Sequence, residues 1–397
     1  MTLLKLSFKN LVSKPLNALL SLLLLVLSVG LVTFILQLSS QVKGNMDKNT
    51  KPVDLVVGAK GSPLQLVLSS VMHLDNPTGN INLKEAEKLK KSRLVKKAIP
   101  VSYGDNYKGF RILGTDTTYF SLYHAKLQTG RYFKKSFETV VGSNVAKKLD
   151  LQLNSTFHSS HGLAEQSLDT HDAHSFLVSG ILEPTGSVID NLIVTPLASI
   201  WDVHEHHAKE PHDEDELEIT SLLVQFKNPM AMVQLPRYIN DKTNMQAALP
   251  SFEINRLVDL LGVGVQTVQF IAFAILLVSG LSIFISMLKA IRERKQELAL
   301  LRTYGATANQ LLQIVLLEGL FLGLIGFVIG WLIGRLGVWL LSSYTQNTYG
   351  YALSLSWPTQ LEGFLLLATL VITVLASILA SLSIFKLNIS KILSEEK

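Results

Sequence analysis

The chain contains no cysteine in its 397 residues. Disulfides, thiolate metal sites and cysteine nucleophiles are therefore excluded. Charge is also scarce: Asp, Glu, Lys and Arg make up 17% of the residues, against about 25% in soluble domains. The deficit is concentrated in four places. No charged residue lies between Lys14 and Lys43, a gap of 28, or between Asp259 and Lys289, a gap of 29. From Thr303 to Leu361 only Glu318 and Arg335 are charged, and from Gly363 to Phe385 nothing is. About 20 apolar residues cross a hydrocarbon core. The pattern predicts four membrane helices at 16–38, 263–287, 310–340 and 363–385. The first is too long for a secretory signal, and Ser39-Ser40-Gln41 offers no small-x-small cleavage site, so a retained anchor is expected.

Basic residues set the expected orientation. Lys5, Lys9 and Lys14 precede the first span, and Lys386, Lys391 and Lys397 follow the last. Lys289, Arg292, Arg294, Lys295 and Arg302 lie between spans two and three, while the loop between spans three and four has neither Lys nor Arg. Both ends (1–15 and 386–397) and the 288–309 loop are thus expected in the cytoplasm. The 39–262 segment and the 341–362 loop are expected outside it, in a multi-pass protein of the inner (plasma) membrane. The large segment carries 24 basic and 25 acidic residues. The surplus positive charge therefore reports topology and points to membrane lipid, not to nucleic acid.

The segment 39–262 reads as an α+β domain, in two lobes, that builds its own core without disulfides. Strands are expected within 53–61, 97–116, 174–186, 191–201 and 217–228, with breaks at Gly104 and Gly109, and 138–151 reads as a strand, a glycine turn and a short helix. A helix over 83–92 starts at Asn82 as its cap. The stretch "GAKGS" (58–62) has the wrong spacing for a phosphate loop, because Lys60 precedes Gly61, and reads as a strand-to-helix turn.

The densest signal is "KAIRERKQELALLRTYGATANQLLQIVLLEGLFLGLIGFVIGWLIG" (289–334). A charged helix carries Leu298 and Leu301 on one face with Glu297 beside them. Gly305 ends it in the left-handed region, and Thr307 with Gln310 starts the next helix. Such a helix lies along the cytoplasmic surface among headgroups. Span three carries Gly319, Gly323, Gly326, Gly330, Gly334 and Gly337, spaced so that all six share one face. That stripe predicts close packing on another helix, in this chain or a second copy. Glu318, beside it, is expected to face the bundle, as a structural hydrogen-bonding group in the first reading and as part of a substrate or proton path in the second. Arg335 sits where its head can snorkel to the surface.

These residues resemble the MacB/FtsX-type permeases of ABC transporters. The likeness is carried by "RERKQELALLRTYGATANQLLQIVLLEGLFLGLIGFVIG", by the start "LKLSFKNLVSKPLNALLSLLLLVLSVG" and by the end "SLSIFKLNISKIL". "ETVVGSNVAKKLDLQLNSTF", "FLVSGIL" and "NLIVTPLASI" resemble the periplasmic core of MacB-like members, and the domain is larger than that of FtsX proper. The resemblance implies that Arg292, Arg294, Glu297, Leu298, Leu301, Arg302 and Gly305 form a coupling helix for a separate ATPase subunit. It also implies a pair of permease copies and mechanical transmission through spans one and two to the outer domain. The chain has no ATP-binding motif, so ATP belongs to the partner and the chain itself is not expected to be an enzyme.

Histidine is nearly absent elsewhere but forms two clusters in the outer domain. One comprises His158, His161, His171 and His174; the other comprises His204, His206, His207 and His212 within "HEHHAKEPHDEDE". Both are expected on loops, at 158–174 and 204–216. Imidazole beside carboxylates suits zinc, nickel or copper(II), although a solvated polar run has the same composition. The expected function is the membrane subunit of an ATP-powered transporter with its substrate left open; zinc or another divalent metal is one candidate, with a periplasmic metal-binding or adaptor protein as a further partner. Alternatives are lipoprotein release, efflux of a hydrophobic compound, or a non-transporting regulator of a cell-wall hydrolase.

Overall fold

The computed structural model describes residues 7, 15–160, 170–205, 217–349 and 358–382. Among the described residues, four helices are long and apolar enough to cross a membrane. We call them helix 1 (Pro15–Thr50), helix 2 (Pro250–Glu293), helix 3 (Ala308–Tyr349) and helix 4 (Gln360–Ser381). A large α+β domain lies between helices 1 and 2. The first three helices outrun the apolar windows of the sequence. A charge gap marks only the greasy part of a helix, and the backbone ladder continues wherever its ends can be satisfied. Helix 1 closes with Asn49 Nδ2 and Thr50 Oγ1 donating to the carbonyls of Asn45 and Met46, at 3.0 and 2.9 Å. Helix 4 starts at a capping box in which Thr359 Oγ1 accepts from Glu362 N and Glu362 Oε2 accepts from Thr359 N.

The chain divides into two compact units. One holds residues 1–42, 261–348 and 352–397, and the other holds residues 43–260 and 349–351. In the first, Leu25, Val29, Leu276, Ile283, Leu311, Ile314, Leu322, Leu365 and Ala376 form the interior. Leu19, Leu23, Leu27, Phe270, Phe273, Leu277 and Leu281 face outward. An apolar exterior of this kind suits lipid, where every backbone group must be bonded within its own helix. Helix 4 buries a narrow face of Thr369, Thr373, Ser377 and Ser381. Their hydroxyls donate back to carbonyls three or four residues earlier, so no polar group is stranded.

The second unit is built on a ten-stranded mixed sheet. Its order is Met245–Ala248, Leu55–Ala59, Ser221–Phe226, Val95–Tyr107, Phe110–Thr115, Ile193–Pro196, Glu138–Val141, Thr170–Leu182 and Leu127–Gly130, with Thr156–Ser160 pairing with both long strands. Two pairs are parallel: Phe110–Thr115 with Ile193–Pro196, and Glu138–Val141 with Thr170–Leu182. One continuous sheet replaces the two lobes expected from sequence. Leu55–Ala59 shows why its run "LVVGA" is unbroken by polar residues. Val56 joins the core of one face with Leu66, Ile99 and Val140, while Leu55 and Val57 join the other with Leu222 and Leu235. Alternate side chains point to opposite faces, and both faces are covered.

Local chemistry accounts for the boundaries. Gly104 does not break its strand; Val95–Tyr107 runs through it, with a register shift between Tyr103 and Asn106. A bulge absorbs the extra residue while the flanking pairs keep their alternation. The chain does turn at Lys108-Gly109, both at positive φ (48° and 84°), which is the two-residue hairpin geometry. The stretch 191–201 is only half strand, because Ile193–Pro196 passes directly into the helix Leu197–Glu205. Asn82 caps Leu83–Lys90 by accepting from Glu85 N at 3.2 Å. Ser62 caps Pro63–Ser70, so "GAKGS" is a strand-to-helix turn.

Candidate functional site

Helix 2 ends at Glu293, and Arg294 leaves helical geometry at φ −105°, ψ 19°. A short helix, Lys295–Thr303, follows. It is closed by a paired motif: Gly305 N donates to Arg302 O at 3.1 Å and Ala306 N to Leu301 O at 3.0 Å. Gly305 sits at φ +97°, where a side chain is strained. Two residues on, Thr307 N donates to Gln310 Oε1 at 2.9 Å and Gln310 N to Thr307 Oγ1 at 3.3 Å, which starts helix 3. The 294–310 segment is thus a rigid bracket between two membrane helices, not a slack loop.

The bracket has an inner and an outer face. Leu298 and Ala299 are buried, and half-buried Leu301 packs against the interior of the membrane unit. Arg294, with a side chain only 15% exposed, donates to Glu297 Oε2 at 3.0 Å and to Glu318 Oε1 at 3.2 Å. Glu318 is therefore an anchor for the bracket. Arg292 is exposed and Arg302 half-buried. The outward face consists of Glu297, Leu300 and Tyr304, the last 85% exposed. Their spacing of three and four residues places them on one side of the helix. Leu300 and Tyr304 went unselected in the sequence because Leu298 with Leu301 and Leu300 with Tyr304 both fit a helical stripe, and only packing says which pair is used up.

The six glycines of helix 3 do not share one partner. A side-chain carbon at Gly319 or Gly323 would collide with Ser377 or Thr373 of helix 4. At Gly326 it would strike Leu25 of helix 1, and at Gly337 it would lie 3.2 Å from Phe34. At Gly330 it would lie 2.7 Å from the Val26 carbonyl oxygen, and at Gly334 2.6 Å from that of Gly30. The steps average one turn, so the stripe stays straight, while its neighbours cross at an angle and each covers part of it. Arg335 does not snorkel. Its guanidinium lies 3.4 Å from Glu362 Oε2 and 4.7 Å over the Trp331 ring.

The histidines are placed differently from the expected loops. His158 lies in the strand Thr156–Ser160, exposed, opposite Ser175. His171 and His174 lie in the strand Thr170–Leu182, and His204 lies in the helix Leu197–Glu205. Phe157 and Phe176 stack at 5.6 Å and hold the two strands together, which is why the first cluster is largely strand. His161, His206, His207 and His212 lie outside the described residues. Among the described residues no group of three His, Asp or Glu could hold a metal ion. A histidine outside both clusters has the most developed environment. His73, at φ +56° and buried, bonds Tyr103 Oη through Nδ1 at 2.6 Å and Tyr119 Oη through Nε2 at 3.0 Å. Burial, with Arg111 adding to it, pushes its pKa down to about 3, so the ring is neutral. Tyr103, which also donates to Ser69 O, is raised chiefly by burial. This is a pin holding the 71–76 turn. Glu138 is a second: its carboxylate takes both guanidinium nitrogens of Arg131, at 2.8 and 2.6 Å, and the amides of Lys134 and Lys135. The Arg131 bonds hold its pKa down to about 2.

Comparison with known proteins agrees with this architecture. The FtsX-like permease C-terminal family model matches residues 269–389. The MacB-like periplasmic core domain model matches residues 18–242, more than half of the chain. No curated protein matches the chain at a significant level. Among solved structures, the periplasmic region of MacB from Actinobacillus actinomycetemcomitans is similar at 12% identity, over 54% of this chain and 97% of that one, with a TM-score of 0.35. The extracellular domain of the noncanonic ABC-type transporter YknZ from Gram-positive bacteria is similar at 15% identity, over 49% and 98%, with a TM-score of 0.32. Four membrane helices interrupted after the first by a MacB-like domain, and closed by an FtsX-like segment, leave one assignment: the chain belongs to the MacB/FtsX-type family of ABC transporter permeases.

Proposed function

We propose that the chain couples ATP hydrolysis on a separate ATPase subunit to movement of its inserted domain, through the helix Lys295–Thr303. The observation that carries this is the two-sided bracket. Its inner face is tied to the membrane helices by Leu298 and the Arg294–Glu318 pair. Its outer face leaves Leu300 and Tyr304 free of the fold's own packing, with Glu297, paired to Arg294, beside them. A rigid projection with exposed apolar side chains suits a protein surface, because apolar area in contact with water favours burial. Helices 1 and 2 flank the inserted domain in sequence and give it two continuous rods. In this reading the bracket and both chain ends face the cytoplasm of an inner-membrane protein, and two permease copies act together.

The test uses the full chain with its cognate ATPase. Tyr304→Asp and Leu300→Asp should abolish co-purification of the ATPase, or leave hydrolysis without transport, while membrane insertion is unchanged. Full coupled activity in both variants would sink the proposal. Leu301 is unsuited to this test, because its loss also disturbs the membrane core.

A second reading, divalent-metal handling, rests on the sequence: eight of ten histidines lie between 158 and 212. Equilibrium dialysis of the detergent-solubilised chain against zinc should show uptake that disappears when both clusters are replaced by serine. Equal uptake by parent and replaced chain would refute it.

A further inference from the structure

One charged cluster in the membrane unit is not used by the coupling bracket. Glu362, 2% exposed, stands in the first turn of helix 4. Its Oε2 accepts from Thr359 N at 3.2 Å and from Arg335 Nη1 of helix 3 at 3.4 Å. Its Oε1 accepts from Gln37 Nε2 of helix 1 at 2.6 Å. Gln41, one turn further along helix 1, donates to Gln37 Oε1 at 3.4 Å. One carboxylate therefore joins three helices just before helix 1 leaves the membrane unit at Val42.

Two kinds of contact hold helix 1, and they do different work. Gly30, Gly330 and Gly334 bring the backbones of helices 1 and 3 together, with Thr33 against Gly334. Glycine surfaces give proximity but little to resist a slide along the axis. The Glu362 cluster is directional: Gln37 and Arg335 reach different oxygens of one carboxylate. Burying such charges is costly, and an apolar replacement is often at least as stable, so geometric specificity is what they can contribute.

We propose that Glu362 is a positioning residue: it sets the register of helix 1 against helices 3 and 4, and its bond to Gln37 is the contact that exchanges when helix 1 moves. The moving part rests on the transmission reading above; the register part does not.

The absence of cysteine makes the test direct. In the full chain in lipid nanodiscs, Ser40→Cys and Leu361→Cys, both exposed, carry spin labels for pulsed distance measurement. The parent should show one narrow distance. Glu362→Ala should add a second population displaced by about 5 Å, one helical turn. Gln37→Leu, which leaves the Arg335–Glu362 pair intact, should do the same, and serves if Glu362→Ala fails to insert. An unchanged distribution in Gln37→Leu overturns the register role. Adding the ATPase and nucleotide to the parent should shift the distance reversibly. A register effect without that shift would keep the positioning role and discard the moving part, while the transmission reading stands or falls on the Leu300 and Tyr304 variants.

Discussion

Replacing Gly330 with alanine puts a methyl group 2.7 Å from the Val26 carbonyl oxygen, 2.9 Å from Val29 Cβ and 3.1 Å from Val29 Cγ1. Ordinary carbon contacts lie at about 3.5–4.0 Å, so helices 1 and 3 must part locally by roughly 0.6 Å or more. Neither obstacle is the free end of a flexible side chain; one is backbone and the other is branched at its root. Parting the helices also loosens Gly334 against Gly30 and Thr33, since all belong to one crossing. Overpacking of this kind costs about 1–3 kcal/mol. Alanine returns up to about 1 kcal/mol in helix propensity. The net loss should be about 1–2 kcal/mol, roughly a five- to thirtyfold shift of the folding equilibrium. The control is Gly363→Ala in helix 4, where nothing lies within 4 Å of the added carbon and no loss is expected. Both variants can be unfolded with increasing SDS in mixed micelles and followed by circular dichroism and by the fluorescence of Trp331 and Trp339. Gly330→Ala combined with Gly334→Ala should lose less than the sum of the two, because the first methyl already opens the crossing. If Gly330→Ala is as stable as Gly363→Ala, the contact between helices 1 and 3 is not the one described.

The inserted domain should weaken in acid in two steps. His73 titrates near 3 in the fold against an ordinary 6.5, so its stabilising contribution is intact above pH 6.5 and is lost as pH falls from there toward 3. Glu138 titrates near 2 against an ordinary 4.5, so its contribution is lost as pH falls from about 4.5 toward 2. In melting curves against pH, His73→Phe should flatten the slope between pH 6.5 and 4.5, and Glu138→Gln only the slope below it; an unchanged slope refutes the assignment. At neutral pH Glu138→Gln should cost about 1–2 kcal/mol, discounted because the Arg131 side chain is half exposed (51%). Gly305→Ala should destabilise the bracket by about 1–2 kcal/mol, since a side chain is strained at φ +97°. Faster proteolysis after Arg302 or Lys295 would report it, and unchanged proteolysis would argue against a strained cap.

Much of the local structure could be read from residue order. The ends of the bracket were legible because Gly305, Thr307 and Gln310 act on neighbours within three residues, and so was the cap at Asn82. The reading failed wherever two residue patterns fit equally well. Gly104 looked like a break, yet the strand runs through it as a bulge, because the pairing partner decides whether an extra residue is absorbed. The stretch 191–201 changes from strand to helix at Leu197, directly after Pro196, and a proline there fits the end of an extended edge as well as the start of a helix. The first histidine cluster looked like a loop because its polar residues hide Phe157 and Phe176, which pair across strands.

Charge distribution and apolar length, both one-dimensional quantities, determined that this chain has four membrane spans and a large insertion after the first. They could not say where Arg335 and Glu362 go. The two are 27 residues apart and, on charge alone, read as a snorkelling cation and a loop carboxylate. The fold sets them 3.4 Å apart and brings in Gln37 from 325 residues away. It likewise decided that Leu298 packs inward while Leu300 and Tyr304 stay outside. A membrane penalises each span by its own composition, so spans are written locally. Which polar groups meet inside it depends on how the helices cross, and only the assembled bundle sets that.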